Sequence, residues 1–82
     1  MFNLRVWLFK RALLKGEPEL EVVRTWKTCR LKGVVNKNGE RFLTAHRLDS
    51  SKKFWIYTKY QLHENGNMIE VKHGKYPYEF VR

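Results

Sequence analysis

The chain is poor in the residues that staple or interrupt small domains: of its 82 residues, one is cysteine and two are proline. A lone Cys29 cannot close an internal disulfide, which excludes the cross-linked scaffolds of small secreted proteins and fits a reducing, cytoplasmic location. Long apolar runs are missing too. The opening stretch MFNLRVWLFKRALL is broken by Arg5, Lys10 and Arg11 before it reaches the length of a signal-peptide core, and no segment approaches the ~20 apolar residues of a membrane span. On this reading the protein is cytosolic and starts at its own initiator Met1. Acidic residues are scarce: eight Asp and Glu against seventeen Lys and Arg leave a net charge of +9. That excludes an acidic mimic of DNA. It predicts a partner that relieves the self-repulsion, namely nucleic acid, an anionic membrane surface or an acidic face of another protein.

Reactive constellations are equally thin. Gly16, Gly33, Gly39, Gly66 and Gly74 are isolated from one another, so neither a phosphate-cradling loop nor a dinucleotide fingerprint is present. One cysteine with His46, His63 and His73 has none of the short spacings of a zinc site, and no metal or cofactor is expected. The histidines read as ordinary polar residues at strand ends or turns, and Cys29 reads as a small buried side chain with nothing nearby to activate it. The protein is therefore expected not to be an enzyme. The one enzyme reading kept open is a metal-independent ribonuclease, which needs only a base, an acid and cations on phosphate. Its candidate pairs, His46 with Arg47 and His63 with Glu64, are sequence neighbours that a strand would point to opposite faces.

What the chain does contain is turn signals and rings. Its length fits one domain, residues 1–82, that buries roughly 60 to 65% of its unfolded surface, a marginal core that leaves room for a homodimer. Turn residues recur at Gly16-Glu17-Pro18, Asn36 to Gly39, Asp49-Ser50-Ser51, Glu64 to Asn67 and Gly74, with Asn38-Gly39 and Asn65-Gly66 predicting type I′ hairpins. Between them, residues 3–14 alternate with a two-residue period and read as a strand. Residues 19–35 combine a helix-like Pro18, early glutamates and late cations with the β-branched Val22, Val23, Thr25 and Thr28; strand is favoured, with a helix at about 18–32 as the alternative. Residues 41–48, 53–62, 68–72 and 77–81 read as further strands. In 53–62, Phe54, Ile56, Thr58, Tyr60 and Leu62 share one face, and Lys53, Trp55, Tyr57, Lys59 and Gln61 the other. The expected fold is all-β and mainly antiparallel, five or six short strands in a small barrel or a strongly twisted, rolled sheet.

On that reading the outer faces alternate cations with flat rings: Arg5, Trp7, Phe9 and Arg11 on the first strand, Arg24, Trp26 and Arg30 on the second, Trp55, Tyr57 and Lys59 on the fourth. Rings stack on bases and cations neutralise phosphates, so these ten residues predict non-sequence-specific binding of single-stranded nucleic acid, DNA or RNA. Arg24, Lys27, Arg30, Lys32 and Lys37 form an acid-free run over residues 22–39 that could track a phosphate backbone. Two other readings compete. The rings could instead be a second core, or anchors of a small inhibitor or adaptor docking on an acidic face of a larger protein. A membrane-surface role through Phe2, Trp7, Leu8 and Phe9 beside Lys10 and Arg11 is disfavoured by the poor helical stripe.

Overall fold

A computed structural model describes the backbone of residues 2–77 and the side chains of residues 5–77. One helix precedes five strands: α1 (Phe2–Leu14), β1 (Glu21–Thr25), β2 (Cys29–Val35), β3 (Arg41–Leu48), β4 (Phe54–Leu62) and β5 (Met68–Pro77).

The N-terminal segment is thus a helix, not the strand its alternation predicts. Leu, Arg, Lys and Ala, all strong helix formers, fill most of it, Val6 is its only β-branched residue, and neither glycine nor proline occurs before Gly16. Val6, Phe9 and Leu13, spaced one and two turns apart, pack on the sheet, while Trp7 and Leu8 flank that stripe on either side and are half exposed. Apolar residues on both sides of the helix blur its stripe, which is why a two-residue alternation fits the sequence at all. Phe9, only 4% exposed, is a core residue and cannot offer its ring to a ligand.

The helix stops where its backbone finds other partners. The Lys15 and Gly16 amides donate to the Arg11 and Leu13 carbonyls. From β3, Arg41 reaches across so that its Nε donates to the Leu13 carbonyl at 2.9 Å and its Nη2 to the Leu14 carbonyl at 3.3 Å. Both carbonyls lie in the last turn and lack an i+4 amide partner, Leu13's also accepting from the Gly16 amide, and the guanidinium sits at the negative end of the helix dipole.

The five strands form one antiparallel sheet in the order β1-β2-β3-β4-β5, a simple meander. The antiparallel all-β expectation holds, but β1 and β5 do not pair among the described residues, so the sheet is open rather than a closed barrel. Residues 19–35 are neither one strand nor the alternative helix at 18–32. They are a hairpin, β1 and β2, turned at Trp26-Lys27-Thr28, where the Trp26 amide donates to the Cys29 carbonyl at 2.8 Å. The turn contains no Gly, Pro or Asn, and so it carries no sequence signal. Gly74 is no turn either: β5 runs through it from Met68 to Pro77, and residues 78–81 of the expected last strand lie outside the described residues.

Two predicted turns form with a different geometry. Gly39 (φ 84°) and Gly66 (φ 92°) adopt the left-handed conformation, but Asn38 and Asn65 do not, which rules out type I′. Each loop instead has three residues closed by a left-handed glycine, with the Gly39 amide donating to the Asn36 carbonyl and the Gly66 amide to that of His63. The asparagines stabilise them through side chains: Asn36 Oδ1 accepts from the Asn38 and Glu40 amides, Asn65 Oδ1 from the Asn67 amide.

Pairing register divides the sheet into two faces. α1 packs on part of the first, mainly over β2 and β3, where Phe9 and Leu13 pack with Leu31, Val35, Leu43 and Leu62, fringed by Val22, Ala45, Tyr60 and Met68. The helix fits closely because Gly33 lies beneath it: a Cβ there would sit 2.7 Å from the Leu13 methyls and 2.8 Å from the Phe9 ring. Among the described residues no helix covers the second face.

Candidate functional site

The uncovered face is organised in rows that cross the strands. Because residues opposite one another in register share a face, the pairs Lys32↔Thr44, Thr44↔Lys59 and Lys59↔Lys72 set three lysines in one line over β2, β4 and β5. With adjacent strands about 4.8 Å apart, the line runs about 14 Å from the β2 to the β5 backbone. Two residues along the strands, the next row reads Arg30, His46, Tyr57 and Gly74. On the opposite side it reads Val34, Phe42, Gln61 and Ile69. A cationic line therefore has rings to each side.

Local contacts fix these side chains. The Tyr57 ring lies across Gly74, where a Cβ would come within 2.9 Å of the phenol oxygen and 3.1 Å of the ring, so the missing side chain makes room for it. Tyr57, His46 and Tyr76 form a cluster with ring centres 5.9 to 6.1 Å apart, held by a 3.0 Å hydrogen bond between the Tyr76 hydroxyl and His46 Nδ1. Lys59 Nζ lies 4.7 Å from the centre of the Phe42 ring. Lys32, Phe42, Thr44 and Lys59 line a depression of about 360 Å³ together with Val34 and Asn36.

The face is electropositive. Its one acid among the described strand residues is Glu21, which meets Lys32 at 3.4 Å with both side chains about half exposed, so the pair is weak and leaves the lysine available. The basicity of His46 on this face is lowered by desolvation first and then by the charges of Arg30 and Lys32.

The ten sequence-predicted residues do not form one surface. Arg30, Tyr57 and Lys59 lie together on the uncovered face, as the alternation of β4 predicts. Trp55 shares their side of the strand but is only 3% exposed, in register with Leu48 and Tyr76 and with the Arg30 guanidinium 5.3 Å above its ring. It supports the face from below rather than presenting a ring. Arg5, Trp7, Arg11, Arg24 and Trp26 belong to the helix side: Arg5 stacks on Trp26 at 4.8 Å, Arg11 on Trp7 at 5.2 Å, and Arg24 borders the groove between α1 and β1. Lys32, Phe42, Thr44, His46, Lys72 and Tyr76 were not in the predicted set. The alternation of residues 41–48 already groups Phe42, Thr44 and His46, but only cross-strand register joins them to Tyr57 and Lys59.

The histidines do not converge. His46 is on the uncovered face, whereas His73, opposite Thr58, is on the helix side and bonds Glu70 at 3.0 Å. His63 follows β4 at the far end of the sheet, about 20 Å along the strands from His46. Cys29 is a half-buried free thiol. No group of three or more potential metal-ligating side chains occurs among the described residues. No family model, curated protein or solved structure matches the chain.

Proposed function

We propose that the protein binds single-stranded nucleic acid, DNA or RNA, without sequence preference, on the uncovered sheet face. The observation that carries this reading is the line Lys32, Lys59 and Lys72 across the strands, with His46 and Tyr57 on one side and Phe42 on the other. A phosphate backbone laid along the lysines would place its bases over rings to either side, and stacking is tolerant of base identity because every base has a π-face. Arg30 adds a fourth cation at the edge. An open sheet also suits a single strand better than a duplex, whose stacked bases are not free to lie on rings. The role is binding rather than catalysis: His46 and His73 face opposite sides of the sheet and cannot share a substrate as base and acid. A free Cys29 and the absence of disulfides support a cytoplasmic setting.

Replacing Tyr57 by alanine tests the reading. The variant should bind an oligothymidylate roughly 5- to 150-fold more weakly, the range equivalent to one lost stacking contact of about 1 to 3 kcal/mol. Unchanged affinity in a folded Tyr57→Ala protein would remove the ring from the site. No binding by the parent protein would end the proposal and turn attention to an acidic protein partner.

A further inference from the structure

The outward side of α1 is a second basic and apolar surface, on the other side of the sheet from the lysine line. Trp7 and Leu8 are 50% and 53% exposed there, about 100° apart around the helix, Trp7 on the flank toward β3 and β4 and Leu8 on the flank toward β1. Arg11 lies against the Trp7 ring, Lys15 is exposed nearby, Arg5 is exposed on the β1 flank with its guanidinium on the Trp26 ring, and the helix contains no acid from Phe2 to Leu14. The nearest acids in sequence, Glu17 and Glu19, come only after the helix has ended.

We infer that this helix lies on anionic lipid surfaces, with Trp7 and Leu8 entering the interface and Arg5, Arg11 and Lys15 meeting headgroups. Among the described residues no helix is long and apolar enough to cross a membrane, and the mode inferred is surface attachment. Three features favour lipid over other occupants. A second copy of the chain would set the same cations against each other. A nucleic acid has phosphates for the arginines but no use for an exposed leucine. A lipid interface takes both: apolar side chains bury at the acyl boundary, tryptophan settles at headgroup level, and cations are drawn to the negative surface. The weak helical stripe is no obstacle, since it arises from Val6, Phe9 and Leu13 facing the sheet while Trp7 and Leu8 stand half exposed on its two flanks.

The test is co-sedimentation of the full chain with vesicles of phosphatidylcholine alone and with vesicles in which about a third of the lipid is phosphatidylglycerol. Binding is expected only to the anionic vesicles, weakening as salt screens the charges. The double variant Trp7→Ser, Leu8→Ser should lose at least about tenfold in binding with an unchanged circular dichroism spectrum, because both side chains are already half in water. Lys59→Ala, on the opposite face, should retain it. The inference is overturned if the protein ignores anionic vesicles at low salt, if the double variant binds them as well as the parent, or if Lys59→Ala abolishes binding. It is equally overturned if the parent sediments as a dimer that the double variant dissolves, which would make a second copy the occupant.

Discussion

The Arg30 guanidinium rests 5.3 Å above the ring of Trp55, and the tryptophan beneath it is almost wholly buried. This pairing separates two roles that the sequence merges. Trp55→Ala should destabilise the protein by about 3 to 5 kcal/mol, as truncation of a buried large aromatic does. Urea denaturation measures it, and a loss below about 1 kcal/mol would return Trp55 to the surface set. Any loss of ligand binding by this variant would then follow from the fold.

Gly33 should be intolerant of a side chain. Its backbone is not left-handed, so the cost of Gly33→Ala comes from the Leu13 methyls and Phe9 ring pressing on it. Overpacking of this kind costs about 1 to 3 kcal/mol. Combining it with Leu13→Ala should cost less than the sum of the two single changes, because the smaller side chain makes room. Additive losses in a double-mutant cycle would place α1 elsewhere on the sheet.

Arg41→Ala removes the bonds to the Leu13 and Leu14 carbonyls and the cation at the helix end. A loss of about 1 to 2 kcal/mol is expected in thermal or urea unfolding. Neutrality in that assay would mean that water replaces the guanidinium at no cost.

His46 makes stability depend on pH. Its folded-state pKa is lowered by desolvation and by Arg30 and Lys32, so below the usual imidazole value of about 6.5 the unfolded chain binds the proton more readily. Its contribution is complete above that value and is lost as pH falls through it toward the lowered pKa. His46→Gln should flatten this part of the stability profile. Asp49 acts in the more acidic carboxylate range: its pKa is pushed up by desolvation but lowered overall by hydrogen bonds from Ser51 and the Phe54, Lys53 and Lys52 amides. An unaltered profile between pH 7 and 5.5 in His46→Gln would contradict the lowered pKa of His46.

The strands were legible where one side chain type alternated cleanly with another. In residues 53–62 the grouping of Tyr57 with Lys59, and of Ile56 with Tyr60, follows from the period of a pleated strand and matches β4. Residues 3–14 carry a misleading two-residue alternation because a helix with apolar residues on its flanks as well as its covered side has no clear stripe, leaving propensity as the better guide. The Trp26-Lys27-Thr28 turn lacks turn residues, and Gly74 looked like a turn although its role is to accommodate Tyr57. The lysine line was invisible in one dimension: Lys32, Lys59 and Lys72 are distant in sequence, and only hairpin register aligns them.

The most direct test of the proposed interface is the salt dependence of oligothymidylate binding, read by anisotropy of a labelled oligonucleotide for the parent protein and for Lys59→Ala. Lys32, Lys59, Lys72 and Arg30 acting on phosphates predict a log–log slope of about −2 to −3, and removing one lysine should reduce its magnitude by about 0.7. Absence of saturable binding at low salt, or a slope that Lys59→Ala leaves unchanged, would contradict a phosphate track across the sheet.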